Sequence, residues 1–453
     1  MSFFTKAKSK KEFTRQNRKR KATEVVQEKN DEITSSEDEA NGITEDSSLT
    51  SEEELETAQE KKLRLAKVYL QEIEREERRR LENDNEEIGD DLIQKRLKED
   101  YLKQTGKLRL TIADKYTSVD NSNIKILKCK QHRKPITCLC ITSDNNFIFS
   151  GSKDGIVVKW SLNDFKKIGH FSFSAKNSIP NSPDYPKPIT SVAISSDSKF
   201  LAVGDESNNI HVWDPQSLKY LNVLRGHRKS VTGLSFKKES HTLYSCSADK
   251  SVKVWSLDDM AYVETLYGHH DKITAIDSLY RDRAITAGGS DCSLRIWKIA
   301  EESQLIYNGH SGNLDCVKLI NEENFLSGAD DGQLCVWSSM KKKPLCTIKD
   351  AHGIDENNEQ PNWICSVTAL LNTDLVASGS YDGFIRFWKL DNNFRSIQPL
   401  FSVTANGFVN SMEFTSDGKF LVACASTEHK FGRWNVIKSS KISLVIVPLN
   451  KIS

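Results

Sequence analysis

Seven tryptophans recur along the chain and constrain its fold more than any other feature. An aspartate stands six residues before five of them, and a histidine stands 27 or 28 residues before four of them. Alternating segments such as 252–255 indicate strands, and turns such as Asp382-Gly383 separate the strands. A period near forty predicts an all-β fold, a seven-bladed β-propeller with four strands in each blade. The tryptophans are Trp160, Trp213, Trp255, Trp297, Trp337, Trp388 and Trp434.

The sequence repeat is offset from the blade, so the outer strand of the last blade has to come from elsewhere in the chain. Residues 124–127 can supply this strand and lock the ring. Residues 442–447 compete for the same role or add an extra strand. Either arrangement removes an exposed sheet edge, and we expect the propeller to occupy residues 120–453.

The His, Ser, Asp and Trp of one repeat resemble a catalytic set, but their recurrence favours a structural role. A hydroxyl can bridge the indole N–H to the imidazole, and the carboxylate can hold the other ring nitrogen. An enzyme needs one such set in a cleft, so we predict that the chain is not an enzyme. The predicted sets are His132, Ser150, Asp154 and Trp160; His227, Ser245, Asp249 and Trp255; and His310, Ser327, Asp331 and Trp337.

Four repeats depart from this pattern. The hydroxyl position of repeat four holds Ala287 next to Thr286; repeat two has Val203 and Ser207; repeat seven has Glu428 and no upstream histidine; and His352 of repeat six lies 36 residues before its tryptophan. The last spacing implies an insert of about eight residues, which carries Trp363. A loop tryptophan can anchor a partner or stack on a base, or it can pin its own loop.

One rim of the ring is expected to hold both the loop after each histidine and the turn with each aspartate. Positive side chains there could neutralise phosphates. The opposite rim is also basic, through residues 166–167, 237–238 and 341–343, so charge leaves open which rim meets nucleic acid. The candidate RNA- or partner-binding residues are Arg133, Lys134, Arg228, Lys229, Lys272 and Trp363.

The first 57 residues are predicted to be a disordered tail. Residues 1–30 carry a net charge of +7 and residues 31–57 a net charge of −11, and like-charge blocks stay solvated. A basic cluster in this tail fits a nuclear targeting signal, and the alternative is a solubilising tail. Its residues are Lys10, Lys11, Arg18, Lys19, Arg20 and Lys21.

Residues 58–110 are predicted to form a helical arm. Apolar residues recur at spacings of three and four in 58–82, and a second helix is expected to begin near Asp90. Neither helix can bury its stripe alone. The stripe either packs on the side of the propeller or docks on a partner protein. The candidate partner contacts are Lys62, Leu63, Arg64, Ala66 and Leu70.

Composition excludes several other classes of protein. Ten cysteines occur without a CxxC pair, which favours small buried side chains in a reducing compartment over disulfides or zinc. We expect neither a cofactor nor a metal. No apolar run reaches membrane-spanning length, so a soluble intracellular protein with no membrane contact is expected.

Several strings outside the repeat pattern are more specific than the repeats. They lie at residues 56–67, 96–100, 262–269, 300–305, 319–323 and 369–377. Together they resemble the family of WD-repeat proteins of the U3 small nucleolar ribonucleoprotein. The likeness extends from about residue 56 to the end of the chain, and at Gly226-His227-Arg228 the arginine matches the family pattern, whereas Lys229 does not clearly match it.

The resemblance implies a seven-bladed WD40 propeller in the nucleolus that cuts nothing itself. It implies binding to the box B/C region of U3 small nucleolar RNA, together with a kink-turn-binding box C/D core protein. The family supports pre-rRNA processing for the small ribosomal subunit, so other small-subunit processome proteins are implied as partners of a monomeric subunit. A protein-only WD40 adaptor in the nucleus is the alternative.

Overall fold

The computed structural model describes residues 58–81, 108–116, 123–172, 187–355, 358–432 and 435–450, with positions 94, 96–98 and 100–102. The predicted disordered tail at 1–57, including its nuclear targeting residues, lies outside the described residues. The chain divides into two units, residues 1–77 and 78–453.

A single long helix, α1, spans Ala58–Leu81 and agrees with the predicted first helix of the arm. Its spaced apolar residues lie on an otherwise charged helix, and the side chains of Leu63 and Leu70 are 61% and 38% exposed. Further along the chain, the described positions from 94 to 102 are helical, and Arg96 and Asp100 form an i,i+4 ion pair at 3.6 Å.

Within the described residues, strands β1 to β28 form seven four-stranded antiparallel sheets. Each sheet is one blade, and the hairpins follow the chain within it. The strands are β1 Lys125–Leu127; blade 1, β2 Ile136–Ile141, β3 Phe147–Ser152, β4 Ile156–Ser161, β5 Lys166–Ser172; blade 2, β6 Ile189–Ile194, β7 Leu201–Asp205, β8 Asn209–Trp213, β9 Tyr220–Arg225; blade 3, β10 Val231–Phe236, β11 Thr242–Ser247, β12 Ser251–Ser256, β13 Ala261–Tyr267.

The remaining four blades repeat this arrangement. They are blade 4, β14 Ile273–Ser278, β15 Arg283–Gly288, β16 Ser293–Lys298, β17 Ser303–Asn308; blade 5, β18 Leu314–Leu319, β19 Asn324–Ala329, β20 Leu334–Ser338, β21 Lys341–Ile348; blade 6, β22 Ser366–Ala369, β23 Leu375–Gly379, β24 Phe384–Leu390, β25 Ile397–Thr404; blade 7, β26 Phe408–Phe414, β27 Phe420–Ser426, β28 Ser443–Pro448, with β1 as its fourth strand.

The N-terminal strand closes the ring, which decides between the two candidate segments at 124–127 and 442–447 in favour of the first. β1 pairs antiparallel with β28, with Ile126 opposite Val445. The segment predicted at 442–447 neither competes with β1 nor adds a strand, because β28 is the third strand of blade 7. Both terminal segments are needed to build one blade, and the outer edge of β28 is thereby paired.

The interpretation of Trp434 as the residue that closes the seventh blade is wrong. Trp160 lies opposite Ile148 in blade 1, and the corresponding partner of Leu421 in blade 7 is Val447. The chain between β27 and β28 is long, so the third strand begins after residue 434. Trp434 itself lies outside the described residues.

The hydrophobic core lies between neighbouring blades. One cluster joins Trp160 of blade 1 to Val422 and Leu444 of blade 7, and another joins Phe149 of blade 1 to Trp213 of blade 2. Phe171 stacks on Trp213 with ring centroids 4.1 Å apart. All ten cysteines are free and seven are buried, which confirms their prediction as small apolar side chains.

A short strap at residues 108–116 packs on blades 6 and 7. The Arg109 guanidinium donates to the carbonyl oxygens of Leu390 and Asp391 at 3.0 and 2.6 Å. Tyr116 is buried and donates its hydroxyl to the Gly418 carbonyl at 2.9 Å. These contacts tie the chain to the propeller before it reaches β1.

Candidate functional site

Blade 3 contains the complete predicted network of His, Ser, Asp and Trp. The Trp255 indole N–H donates to Ser245 Oγ at 2.8 Å, and His227 Nε2 lies 2.8 Å from the same oxygen. His227 Nδ1 lies 2.9 Å from the Asp249 carboxylate. The carboxylate therefore orients the ring so that Nε2 accepts the serine proton, and every polar group of the set has a partner.

Blade 4 has a complete network, which corrects the interpretation of Ala287 as its hydroxyl position. Thr286 Oγ1 accepts the Trp297 indole N–H at 2.8 Å and lies 2.8 Å from His269 Nε2. Thr286 lies opposite Arg295, two residues before the tryptophan, as Ser245 lies opposite Lys253. The hairpin between β15 and β16 is one residue longer than the hairpin between β11 and β12. Counting back ten residues from Trp297 therefore selects Ala287 instead of Thr286.

Blade 6 also has a complete network despite its insert. His352 Nδ1 lies 2.9 Å from Asp382 Oδ2, and His352 Nε2 lies 2.8 Å from Ser378 Oγ. The Trp388 indole N–H donates to the same serine at 2.8 Å. The insert therefore loops out without displacing the histidine.

In blade 1 the aspartate has a different partner. His132 Nε2 lies 2.9 Å from Ser150 Oγ, and the Trp160 indole donates to that hydroxyl at 2.9 Å. Asp154, however, accepts the backbone N–H groups of Arg133 and Lys134, both at 2.6 Å. His132 Nδ1 is buried without a hydrogen-bond partner among the described residues, so the predicted carboxylate contact of this set is wrong. Burial lowers the pKa of His132 to about 4.

Blade 5 is intermediate between these two arrangements. His310 Nε2 lies 2.7 Å from Ser327 Oγ, and the Trp337 indole donates to Ser327 at 2.8 Å. His310 Nδ1 and Asp331 Oδ1 are 3.5 Å apart, while Asp331 Oδ2 accepts the Ser311 backbone N–H at 3.0 Å. Burial raises the pKa of the Asp331 carboxyl, but the interaction with His310 and the backbone N–H groups outweighs it and lowers the pKa to about 2.

The networks are structural because substrate cannot reach them. The histidine side chains of blades 3, 4, 5 and 6 have no exposed area. The networks hold the strands of one blade together and fix the loop that follows each histidine. No group of metal-ligating side chains occurs in the part of the chain that the structure describes, and no helix there is long and apolar enough to cross a bilayer.

The blade aspartates hold the loops that present the candidate binding residues. Asp249 accepts the backbone N–H of Arg228 at 2.9 Å, in the way that Asp154 holds residues 133 and 134. The histidine loops and aspartate turns therefore share one face of the ring, as predicted; we call it the histidine face. Arg133, Lys134, Arg228 and Lys229, here named the basic rim, are all exposed on it.

The basic rim differs from Lys237 and Lys318 of the opposite face, which are paired with carboxylates. None of its four side chains forms an ion pair or a side-chain hydrogen bond with another described residue. On the opposite face, Lys237 pairs with Asp282 at 2.5 Å and Lys318 pairs with Asp277 at 3.1 Å. The basic rim thus offers cations that are already positioned by their backbone and are not committed to carboxylates.

The other two predicted binding residues lie elsewhere on the histidine face. Lys272 of blade 4 is exposed, and its Nζ lies 5.4 Å from the Phe431 ring centroid. Trp363 packs against Tyr381 and Phe408, with centroids 5.3 and 6.4 Å apart, so it does pin its own loop. Lys272 and Trp363 also line the same cleft of about 500 Å³.

A segment over the mouth of the central channel was missed in the sequence. In this mouth segment, residues 428–432, the Lys430 ammonium donates to the Asp315 carbonyl of blade 5 at 3.1 Å. Glu428 pairs with Lys153 of blade 1 at 2.7 Å. Since these contacts link blade 7 to blades on other sides of the ring, the segment crosses the mouth. The long interval between β27 and β28 was the available signal.

The fold defines a WD-repeat propeller, and the family comparison agrees. The model of the WD domain, G-beta repeat, matches residues 123–161, 180–214, 218–256, 260–298, 301–338 and 353–389. These segments span blades 1 to 6. The strands β26, β27 and β28 of blade 7, which has Val447 at the tryptophan position, fall outside these segments, whereas its fourth strand β1 lies within the first one.

Individual relatives narrow the class further. The chain is 48% identical over 399 residues to human U3 small nucleolar RNA-interacting protein 2, covering 88% of this chain and 83% of that protein. Ribosomal RNA-processing protein 9 of Saccharomyces cerevisiae is 28% identical over 543 residues, covering 92% and 95%. The solved structure of U3-55K superimposes with a TM-score of 0.70 at 45% identity, covering 73% of this chain and 100% of that one. The chain belongs to the family of U3 small nucleolar RNA-interacting WD-repeat proteins.

Proposed function

We propose that this protein is a non-catalytic component of the U3 small nucleolar ribonucleoprotein that binds U3 RNA and supports pre-rRNA processing for the small ribosomal subunit. Its site of action is the nucleolus. The observation that carries the proposal is the basic rim: four exposed cations on loops whose backbone N–H groups donate to the partly buried carboxylates of Asp154 and Asp249. Family membership supplies the identity of the RNA.

The basic rim binds by neutralising phosphates along the RNA backbone. Because Asp154 and Asp249 fix the loops before RNA arrives, little ordering of the backbone accompanies binding. Such contacts position the RNA and carry no base specificity of their own. Recognition of the box B/C region then comes from the shape of the RNA together with the kink-turn-binding box C/D core protein bound beside it.

The remaining parts of the chain have separate roles in this proposal. The α1 residues Lys62, Leu63, Arg64, Ala66 and Leu70 contact other small-subunit processome proteins, since an amphipathic helix is a common docking element. The basic cluster at 10–21 directs nuclear import. The protein acts as one copy within the particle, and the propeller supplies the rigid platform.

Binding of U3 RNA to the full-length protein tests the rim assignment. A variant with Arg133→Glu, Lys134→Glu, Arg228→Glu and Lys229→Glu is compared with a control that reverses Lys166, Lys341, Lys342 and Lys343, which are exposed at the opposite face. We expect the rim variant to lose at least tenfold in affinity and to have a salt slope shallower by about 0.7 per lost phosphate contact. The control has the same change in net charge and is expected to bind nearly as well as the unaltered protein.

Equal affinities of the two variants would reject the basic rim as the RNA site. Capture of nuclear partners that survives ribonuclease treatment, together with no retention of U3 RNA, would support the protein-only adaptor instead.

A further inference from the structure

The loops that carry the blade histidines differ in chemistry at two equivalent positions. The first position lies two residues before the histidine, and the second directly follows it. Both positions hold cations in blades 1 and 3, whereas both hold aromatic rings in blade 4. In the order of blades 1, 3, 4, 5 and 6, the pairs are Lys130 and Arg133; Arg225 and Arg228; Tyr267 and His270; Asn308 and Ser311; and Asp350 and Gly353.

Tyr267 presents its ring to solvent where the chain enters the histidine loop of blade 4. It is the last residue of β13, and its side chain is 71% exposed, more than that of any other tyrosine, phenylalanine or tryptophan among the described residues. The side chain forms no ring stack, ion pair or hydrogen bond with another described residue. The aromatic faces are therefore open to a planar ligand.

The aspartate turn of blade 3 connects Tyr267 to the basic rim. Tyr267 lies opposite Ser251 in the register of β12 and β13, and directly opposed residues of antiparallel strands are about 5 Å apart at Cα. Asp249, two residues before Ser251, accepts the Arg228 backbone N–H at 2.9 Å. An RNA strand whose phosphates contact Arg228 and Lys229 therefore passes close to the Tyr267 ring.

The backbone of His270 is held on both sides. Its N–H donates to Asp291 Oδ2 at 3.3 Å, and its carbonyl oxygen accepts a hydrogen bond from the Lys250 ammonium at 2.6 Å. The imidazole is exposed, and three residues separate it from Tyr267, a span of at most about 10 Å. Lys250 also brings a cation of the blade 3 turn to the loop that carries the ring, so the two rings adjoin the positive surface.

This combination of open rings and adjoining cations suits RNA with unpaired bases. Phosphate contacts position a nucleic acid but do not select its nucleotides. Bases in single-stranded loops and bulges can instead stack on the rings of tyrosine and histidine. Because every base has a π face, such stacking selects an unpaired nucleotide rather than a particular base.

We propose that Tyr267 and His270 form a stacking platform for an unpaired base of the RNA whose phosphates lie on the basic rim. This inference rests on the proposed function and adds a base contact to it. The cationic loops of blades 1 and 3 supply affinity for the backbone, and the aromatic loop of blade 4 favours a strand that exposes a base at that point.

Substitutions of Tyr267 in the full-length protein test the platform by titration with U3 RNA. Tyr267→Ala removes the ring, and Tyr267→Leu keeps an apolar side chain without a π face. We expect both variants to bind at least tenfold more weakly, and we expect Tyr267→Phe, which keeps the ring, to stay within about threefold of the unaltered protein. The control Asn308→Ala changes the equivalent exposed position of the next histidine loop and is expected to keep full affinity.

Two further readouts separate stacking from charge and from misfolding. The dependence of affinity on salt is expected to be unchanged in Y267A, because no phosphate contact is lost, whereas R133E/K134E/R228E/K229E has a shallower slope. Melting temperatures of all Tyr267 variants should match that of the unaltered protein, because the side chain is exposed. In the unaltered protein, U3 RNA that contains 4-thiouridine is expected to crosslink to the peptide with residues 267–270.

The platform is rejected, and the basic rim retained, if Y267A and Y267L bind U3 RNA as tightly as the unaltered protein while the rim variant loses affinity. Equal losses in Y267F and Y267A would also reject it, because the ring would then not be the binding group. If Y267A loses a ribonuclease-resistant protein partner at full RNA affinity, Tyr267 contacts protein instead. Absence of U3 RNA binding by the unaltered protein would reject the proposed function and the platform with it.

Discussion

Blades 3 and 7 reach the same four-stranded sheet by different routes. In blade 3 a buried network of Trp255, Ser245, His227 and Asp249 staples the strands and fixes the loop at Arg228. Blade 7 has Val447 at the tryptophan position and takes its outer strand from the other end of the chain. The comparison shows that the network is not needed to form a blade.

What the network adds is a fixed loop. In blade 7 this role passes to Asn410, whose amide donates to the carbonyls of Ile136 and Glu428 and whose Oδ1 accepts the Lys430 backbone N–H at 2.9 Å. The result is a long segment held across the channel mouth instead of a short loop that presents cations. The blades therefore differ in what they display more than in how they are built.

The largest expected effect comes from truncating the tryptophan of blade 3. Trp255 is 2% exposed, and we expect Trp255→Ala to reduce the free energy of unfolding by about 3–5 kcal/mol. The matched change Val447→Ala in blade 7 removes less apolar area and is expected to cost about 1.5–3 kcal/mol. Denaturant unfolding measures both, and an equal or larger loss in blade 7 would contradict the comparison.

Removing the bridging hydroxyl is expected to have the next largest effect. Ser245→Ala leaves the Trp255 indole N–H and His227 Nε2 buried without their partner, at about 1–3 kcal/mol for each group. Ser217→Ala removes an exposed hydroxyl of blade 2 and should change stability by less than about 0.5 kcal/mol. Thermal unfolding of the Ser245→Ala and Ser217→Ala variants tests this expectation. Similar melting temperatures would mean that the Ser245 hydroxyl does not stabilise the blade.

Neutralising the loop-holding aspartate is expected to affect both stability and RNA binding. Asp249→Asn weakens charge-assisted bonds to His227 and to the Arg228 backbone N–H, which contribute about 1.5–3 kcal/mol. Glu428→Gln breaks a partly exposed ion pair with Lys153 and should cost less than about 1 kcal/mol. The free energy of unfolding and the affinity for U3 RNA are measured for both variants. A D249N protein with undiminished RNA affinity would show that fixing the loop is not required.

Acid is expected to destabilise the protein through His132 of blade 1. The folded-state pKa of His132 is lowered to about 4 by burial, whereas the unfolded value is near 6.5. The unfolded chain therefore binds the proton first, and stability is lost as the pH falls from about 6.5 toward 4. Between pH 7 and pH 5 this contribution is about 2 kcal/mol.

Comparison of the unaltered protein with His132→Gln at the two pH values isolates this contribution. The substitution shifts stability at both values, but it should remove about 2 kcal/mol of the acid-induced loss. Parallel losses in the two proteins would mean that His132 is accessible to protons in the folded state.

Local, periodic signals in the sequence predicted the ring, offered the strand that closes it as one of two alternatives, and identified the complete network of blade 3. The spacing of Trp255 from His227 and Asp249 reports directly on strand register, and residues 124–127 were identified because a blade needs a fourth strand. Counting failed where length varies inside a repeat. One extra residue in the hairpin of blade 4 made the count select Ala287 instead of Thr286. The long interval before β28 made Trp434 look like the closing tryptophan of blade 7, although Val447 occupies that position.

The candidate site was predictable only in part. The basic rim follows from residues adjacent to the blade histidines, so Arg133 and Arg228 could be named. The mouth segment and the cleft depend on loops from several blades meeting in space, and the spacing within each repeat does not report that meeting. Asp154 binds the backbone N–H groups of Arg133 and Lys134 rather than His132 Nδ1. This choice depends on the local geometry of the loop, which the repeat spacing does not encode.

Sequencing the RNA that crosslinks to the native protein, with the crosslinked peptides mapped by mass spectrometry, tests the central claim most directly. The account predicts enrichment of the box B/C region of U3 RNA on peptides that contain residues 133–134 and 228–229. Recovery of no U3 RNA, or crosslinks confined to the opposite face of the ring, would contradict it.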